Sequence, residues 1–331
     1  MTNSYIKKIT TKLSRFIYNR CLLFKLFLMY GYDAKRVLRH AGAIQQVHIE
    51  QKRAQLTMAY HILEKGLTMP NRRLGFGREA VLNLIQLCKD FSETESHDDS
   101  IFKHSLAVLK AYKKIHDDYD FSLDADLESK LMEILNGIDI QADEQIYTTA
   151  EAFFSNIDSP FPVFSNSRHT CRHFNGPVSE NQIINSVELA NNAPSACNRQ
   201  HTRIHCICDK KIKQAILRIQ GGNRGFGEYA DKLLIVTSDV HDLRWLEERN
   251  DLYTNAGIFI MNLSYALHYE KIASCILNWS VDPMTDRELR RIVSIPDNEV
   301  IVCMILCGNA PENIMVASSP RKEINNILTF H

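Results

Sequence analysis

Leu233–Leu234–Ile235–Val236–Thr237 is an apolar run with no polar alternation. Such a run predicts a strand buried on both faces, because side chains on either side of the sheet must then avoid water. Two similar runs follow at 272–277 and 300–306, and a shorter one precedes it at 204–208. The second half of the chain is therefore predicted to contain a central sheet.

Helices are predicted between these strands. Ser179 and Gln182 have the spacing of a capping box, and Thr285 and Glu288 have the spacing to open a later helix. The segment 252–270 is apolar nearly all round, so it is predicted to lie in a core or a subunit interface. Helices that cover both faces of a sheet indicate an α+β or α/β sandwich.

The first half has a different texture. Residues 1 to about 150 are predicted to be almost entirely helical, because apolar residues recur at helical spacing. The acidic segment 91–99 predicts a loop between helices, and the prolines of 158–162 predict a linker. We therefore divide the chain into a helical N-terminal domain, residues 1–155, and a second domain, residues 156–331.

Composition excludes some classes of protein. The 331-residue chain has 39 Lys+Arg and 39 Asp+Glu, so it lacks the concentrated basic surface that nucleic acid requires. Its cysteines number nine, an odd count, and several lie in apolar runs. Free thiols in the reducing cytoplasm fit this better than disulfides. There is no CxxC pair, so the sequence predicts no zinc site and names no metal ligand.

The N-terminus is basic, with nine Lys/Arg and one acid in residues 1–40. Its apolar run, 21–30, is interrupted by Lys25 and is too short to span a membrane, which needs ~20 residues. We favour a basic amphipathic helix that packs on its own protein. The alternative is peripheral contact of this helix with an anionic membrane surface.

Five segments of the second half carry groups suited to a polar, phosphorylated ligand. Two arginines four residues apart, for example, can surround one phosphate with charge-assisted hydrogen bonds. Taken alone, each segment also has an ordinary explanation as a basic loop, a turn or a strand end. The segments are 168–174, 193–200, 221–227, 275–279 and 319–322.

The order of these segments resembles the nitroreductase family, FMN-dependent enzymes that form homodimers with the flavin at the subunit interface. The resemblance covers about residues 165–330. It implies an α+β fold with a mostly antiparallel sheet flanked by helices, here preceded by a helical N-terminal domain. It also implies ping-pong hydride transfer from NAD(P)H through FMN to a small-molecule acceptor such as a nitro, quinone or enone-like compound. No catalytic acid or base is assigned.

The resemblance also implies which residues bind the cofactor. The FMN phosphate and part of the flavin are assigned to Arg168, His169, Thr170 and Arg172, with Arg321 as a C-terminal phosphate ligand. The partner subunit's contribution is assigned to Pro194, Ser195, Ala196 and Asn198. The ribityl chain and ring are assigned to Asn223, and the reactive edge of the flavin to Ile276, Leu277 and Asn278. Asn278–Trp279 departs from the Glu–Gly pair of many members, which puts cofactor or substrate preference in doubt. His169–Thr170 replaces their Arg–Ser, a mild change that keeps a donor and a hydroxyl.

The stretch Tyr60–Arg73 resembles an extension found on a nitroreductase-like subgroup near bacterial surface-polysaccharide genes. Lys65, Gly66 and Pro70 have the order of a helix stop. Arg72 and Arg73 are predicted to face an acidic substrate over the flavin. Residues 1–150 are expected to be dispensable for binding the cofactor.

Two other functions remain open at this point. One is a flavin-dependent oxidase or dehydrogenase in a biosynthetic pathway, with a sugar or peptide intermediate as its substrate. The other is a non-catalytic FMN-binding accessory protein whose helical half docks on a polysaccharide-assembly complex. Rapid bleaching of bound flavin by a nicotinamide would separate the reductase from both.

Overall fold

The computed structural model describes residues 2–44 and 47–331, with side chains from residue 17 onward. The helices and strands in the described residues follow in chain order: α1 (Thr2–His40), α2 (Ile49–Leu67), α3 (Arg78–Ser92), α4 (Ser100–Asp118), α5 (Ala125–Leu135), β1 (Ile146–Thr149), α6 (Ala150–Phe153), α7 (Phe161–Ser167), α8 (Glu180–Ala190), β2 (Thr202–Ile207), α9 (Lys210–Gln220), β3 (Lys232–Asp239), α10 (Asp251–Tyr269), β4 (Ala273–Asn278), α11 (Pro283–Ile292), β5 (Glu299–Gly308) and β6 (Asn313–Val316).

The N-terminal half is a bundle of α2 to α5 around its own core. Each helix places one apolar stripe inward, and Leu63, Leu84, Leu109 and Leu131 are fully buried there. The acidic loop predicted at 91–99 ends at Asp99, whose side chain caps the first turn of α4. This core is separate from those that surround the sheet.

The main sheet has the order β2-β3-β5-β4, and every neighbouring pair is antiparallel. Because β3 and β5 are central, helices cover both of their faces, which explains their unbroken apolar sequences. Leu233 and Ile235 point into one core, whereas Leu234 and Val236 point into the other. The predicted α+β fold, with an antiparallel sheet flanked by helices and a helical first half, is confirmed.

Two helix starts differ from the sequence prediction. Asp282, and not Thr285, caps α11, because its carboxylate accepts hydrogen bonds from the backbone N–H groups of Met284 and Thr285. The prolines of the predicted linker open α7, since a proline in the first helical turn sacrifices no intrahelical hydrogen bond. The predicted capping box of Ser179 and Gln182 is present at α8.

A small second sheet joins the two halves of the chain. β1 pairs antiparallel with β6 near the C-terminus, and Ala150 N–H donates to the carbonyl of Glu312. Phe153 and Phe154 then pack into the core of the second half. Residues before about 145 therefore pack in the core of the helical bundle, and residues after it pack in the core of the second half. The division after residue 155 stays a prediction about independent folding.

α1 lies against the second half along a narrow face. Among its described side chains, Leu22, Leu26, Met29 and Asp33 are half-buried and none is fully buried. Asp33 pairs with Arg249 at 2.6 Å. None of the described helices has the length and apolar character needed to cross a membrane. The membrane alternative for residues 1–40 depends partly on side chains 1–16, which lie outside the described ones.

Candidate functional site

A cavity of about 300 Å³ lies where the two halves meet. One wall comes from the segments 168–172 and 317–321 of the second half, and the other comes from α2. The residues that line it are Thr57, Tyr60, His61, Glu64, Arg168, His169, Thr170, Arg172, Ala317, Ser319, Pro320 and Arg321.

Local structure directs the arginine wall into the cavity. Cys171 is fully buried, and its N–H donates to the carbonyl of Ser274 on β4 at 2.9 Å. Because Cys171 points into the core, its neighbours Thr170 and Arg172 both face the cavity. Arg321 arrives from the segment after β6, which the small sheet fixes beside them.

The arginine wall has an excess of positive charge and buried donors without acceptors. The Nε atoms of Arg168 and Arg172 are buried and have no hydrogen-bond partner among the described residues. Burial lowers the pKa of Arg168, although Tyr265 opposes this shift, and Arg321 lowers it further; burial, Arg168 and Arg321 together lower that of His169. An unpaired buried donor costs about 1–3 kcal/mol, so this wall is suited to an anion with several oxygens.

The α2 wall carries a carboxylate whose hydrogen bonds are already made. Glu64 is buried, its Oε1 lies 2.8 Å from His104 Nε2 and its Oε2 lies 3.3 Å from His61 Nδ1. Burial opposes ionisation, but the bonds from His104 and His61 outweigh it and lower the pKa of Glu64 to about 2. Glu64 is therefore ionised, and both of its oxygens already bond to imidazoles. It does not form an ion pair with the arginines of the opposite wall.

The sequence analysis did not assign the α2 residues to the site. The only available signal was that His61 and Glu64, three residues apart on a helix, lie beside the apolar stripe formed by Tyr60 and Leu63. The structure brings together five of the predicted residues in this cavity, namely Arg168, His169, Thr170, Arg172 and Arg321.

The predicted partner-facing segment lies elsewhere in the chain. Pro194 and Ser195 line a separate, much smaller cavity of about 20 Å³. Ala196 N–H donates to Asn255 Oδ1 at 3.0 Å, and Cys197 and Asn198 have left-handed φ angles of 51° and 55°. Non-glycine residues in this conformation are strained by about 1–3 kcal/mol each, so the surrounding contacts hold this turn in a fixed shape.

The remaining predicted residues line neither of these cavities. Asn223 borders a third cavity, and its Nδ2 donates to the carbonyl of Leu217 at 2.7 Å, which secures the end of α9. On the edge strand β4, Ile276 and Asn278 point outward, whereas Leu277 is buried. The outward pair leaves polar and apolar surface exposed at the open edge of the sheet.

The segment after α2 contacts the second half directly. His173 Nε2 lies 2.8 Å from the carbonyl of Thr68, and Asn71 Nδ2 donates to the Tyr229 hydroxyl at 2.9 Å. Arg72, five residues after the end of α2, donates to the carbonyl of Leu67 at 2.7 Å, so its guanidinium caps the C-terminus of α2. Arg73 is exposed. The two halves therefore share one site.

Comparison with known proteins gives a match to one family. The model of the nitroreductase family matches residues 166–222, which include the arginine segment and the turn at 194–198. No curated protein matches the chain.

Solved structures resemble the second half. A nitroreductase family protein from Streptococcus pneumoniae TIGR4 is 20% identical, with 52% of this chain and 100% of that chain covered and a TM-score of 0.45. An FMN-dependent nitroreductase from Clostridium difficile R20291 is 18% identical, with 50% and 96% covered and a TM-score of 0.42.

Proposed function

We propose that this protein is an FMN-dependent oxidoreductase that uses NAD(P)H to reduce a small-molecule acceptor. The observation that carries the proposal is the pair of buried, unpartnered Nε donors of Arg168 and Arg172 in a cavity also lined by Arg321. The family match over 166–222 covers both donors and supports a flavin phosphate as the anion. The acceptor is left as a small molecule.

The cavity residues have separable tasks toward FMN. Arg168, Arg172 and Arg321 would bind the phosphate, because guanidinium groups donate paired hydrogen bonds to its oxygens. Thr170 and His169 would supply a hydroxyl and an imidazole beside them. Thr57 and Tyr60 would close the cavity from α2, so the first half shields the phosphate from water.

When bound, FMN would supply the chemistry, which is hydride acceptance from the nicotinamide and donation to the acceptor in a ping-pong cycle. The protein's part is placement. The turn at 195–200 is held rigidly by Asn255 and by Ser195 Oγ, which accepts from Gln200 N–H at 3.0 Å. The exposed Ile276 and Asn278 offer an open strand edge for the ring.

A comparison of FMN with riboflavin tests the phosphate assignment. Each charged hydrogen bond contributes about 1.5–3 kcal/mol, so Arg168→Ala, Arg172→Ala or Arg321→Ala should each weaken FMN binding about tenfold or more. Riboflavin has no phosphate, so its affinity should change little. Quenching of flavin fluorescence measures both. Equal losses for the two ligands, or no flavin uptake by the parent protein, would refute the assignment.

A homodimer is part of the proposal. α10 is apolar nearly all round, and its Ile258 and Met261 remain about 40% exposed in the single chain. The neighbouring α8 exposes Ile184 and Leu189 in the same way. Burial of such a patch against a second copy would remove it from water. Light scattering on the full chain should therefore give the mass of two chains, and Ile258→Asp should lower it.

For α1, its exposed face supports the membrane alternative over simple packing. Leu23, Phe24, Phe27 and Leu28 are all at least 46% exposed on a basic helix. A helix of this kind lies in the interface of an anionic bilayer. The full chain should sediment with phosphatidylserine vesicles more than with neutral vesicles, and less so in high salt. Equal sedimentation with both kinds of vesicle would exclude the proposal.

A further inference from the structure

The carboxylate of Glu64 belongs to a second cluster directly behind the cavity. Glu64, His104 and Asp143 each offer one ligand atom, and these three atoms lie within 4.8 Å of one another. They come from three separate elements, α2, α4 and the loop after α5. The mechanism proposed above uses none of these three groups.

The separation of the ligand atoms suits one small ion. Donors at about 2.1 Å from a tetrahedral metal lie about 3.4 Å from each other. The Glu64–His104 distance is 2.8 Å, and the ligand atom of Asp143, a half-buried loop residue, lies within 4.8 Å of both. His61 Nδ1, at 3.3 Å from Glu64 Oε2, is close enough to serve as a further metal ligand.

Outer contacts orient each ligand. Ser318 Oγ donates to Asp143 Oδ1 at 2.5 Å, and Gln145 Nε2 donates to Oδ2 at 3.1 Å, so each oxygen keeps a free lone pair. The ring of Tyr60 packs edge-on against His104 with centroids 4.7 Å apart. Asp143 N–H donates to the carbonyl of Ala107, which holds the loop along α4. Supporting shells of this kind characterise built metal sites.

The charges of the cluster are also compatible with a cation in place of the present hydrogen bonds. Glu64 is 1% exposed, and a carboxylate this deep must be paired or coordinated. Asp143 adds a second carboxylate, whose ligand atom lies within 4.8 Å of those of Glu64 and His104. One divalent ion would balance the two carboxylates.

We propose that Glu64, His104 and Asp143 bind a divalent first-row transition metal, with an open position toward the arginine-lined cavity. Two carboxylates and one imidazole suit Zn²⁺, Co²⁺, Mn²⁺ or Fe²⁺. Three protein ligands leave a position for water or for an oxygen of the cavity anion. The site does not depend on the proposed flavin chemistry, and the ion would fasten α2, α4 and the loop beside Ser318.

The probe is Co²⁺ alone, added to the full chain without a histidine tag after chelation and dialysis. Cys206 and Cys208 must be removed first, because their Sγ atoms lie 3.8 Å apart on the surface and thiolates also bind cobalt. In the Cys206→Ser/Cys208→Ser background, equilibrium dialysis should give one Co²⁺ per chain. The visible spectrum should show low coordination number without a thiolate charge-transfer band.

Variants of the ligands decide the assignment. Loss of an outer contact typically weakens metal binding by 10–100-fold, so Ser318→Ala should lower cobalt affinity about tenfold. Loss of a ligand, in His104→Ala or Asp143→Asn, should lower it by more than about 100-fold. His97→Ala is the matched control, because His97 is exposed and its ring bonds the carbonyl of Ser92 at the end of α3.

Circular dichroism of each variant without metal separates lost binding from lost fold. Asp143→Asn keeps the shape of a half-buried loop residue, so it tests the site even if His104→Ala unfolds. Absence of stoichiometric cobalt in the folded parent background would show a hydrogen-bond network only. Unchanged binding in Asp143→Asn would also overturn the proposal. Neither result bears on the FMN and riboflavin comparison.

Discussion

The two walls of the cavity present opposite electrostatic situations. The second half contributes Arg168 and Arg172, whose buried Nε donors have no acceptor in the described part of the chain. The N-terminal half contributes Glu64, whose buried oxygens each have an imidazole beside them. The arginine wall lacks hydrogen-bond acceptors among the described residues, whereas the α2 wall already has its hydrogen bonds. The difference indicates that the arginine wall receives the ligand, whereas the α2 wall is a support built around it.

The largest expected effect comes from cutting the chain at two places. A protein that begins at residue 145 keeps β1, Phe153 and Phe154, whereas one that begins at residue 156 loses all three. Removal of a buried Phe side chain costs about 3–5 kcal/mol, so the shorter protein should not fold stably. The longer one should fold but bind FMN more weakly than the full chain, because α2 is gone.

Circular dichroism and flavin fluorescence on both truncated proteins check this. Equal stability of the two would support the division after residue 155. FMN affinity equal to that of the full chain in the longer protein would show that the α2 wall contributes nothing to binding. Residues 1–150 would then be dispensable for the cofactor, as the sequence analysis expected.

The second-largest effect is expected for Glu64 in the α2 wall. Glu64→Ala leaves the nearly buried His104 without its acceptor, and an unmade buried bond costs about 1–3 kcal/mol, whereas the 46% exposed His61 can bond water instead. We expect a loss of about 3 kcal/mol in the free energy of unfolding, measured by urea denaturation with a chelator present. Glu133→Ala is the matched control, since the Glu133 side chain is 63% exposed and pairs on the surface with Lys89. Similar small losses in both variants would contradict the contrast between the walls.

Mild acid should affect the arginine side alone. Burial, together with Arg168 and His169, lowers the pKa of His268 from 6.5 to about 4. Because the unfolded chain takes up this proton first, the stability present above pH 6.5 is lost as the pH falls toward 4. Between pH 7 and pH 5 the loss should be about 2 kcal/mol.

His268→Gln should reduce this pH dependence in urea denaturation, and the lowered pKa values of His169 and His173 leave a remainder of the same sign. Glu64 does not contribute in that interval, because its pKa of about 2 confines its loss of stability to the range below 4.5. A parent protein whose stability is flat from pH 7 to pH 5 would show that His268 titrates normally. His97→Ala again provides the control, since its ring is exposed.

The smallest effect is expected outside the cavity, where α1 contacts the second half. The Asp33 and Arg249 side chains are 33% and 14% exposed. Ion pairs near the surface contribute about 0–1 kcal/mol, so Asp33→Asn should change the free energy of unfolding by less than that. Asp98→Asn, at a 92% exposed side chain, gives the baseline. A loss above about 2 kcal/mol would show that α1 is part of the folding core.

The sequence predicted those features that one segment determines alone. The central strands were evident because burial on both faces leaves an unbroken apolar run, as at 233–237. The N-cap of α11 was misplaced by three residues because Thr285 and Glu288 have the spacing of a capping box. The actual N-cap is Asp282, followed by Pro283 in the first helical turn. β1 was missed, since Ile146–Thr149 is short and its register exists only with β6.

Only the arginine wall of the site was predicted from the sequence, and the α2 wall was missed. Arg168, Arg172 and Arg321 were assigned because the order of their segments resembles that of the nitroreductase family, and the structure brings the three side chains to one cavity. His61 and Glu64 give no such signal, since on a helix surface a histidine and a glutamate three residues apart are ordinary. Their role depends on His104 and on the docking of α2, and neither can be read from local sequence.

The pairing of β1 with β6 imposes a delay during synthesis. Roughly 160 residues separate the two strands, and a ribosome adds about 5–20 residues per second. The α2–α5 bundle can fold early, but β1 must wait on the order of 8–30 s for its partner to emerge. Until then Phe153 and Phe154 have no core to enter, and the nascent chain exposes both of these large apolar side chains.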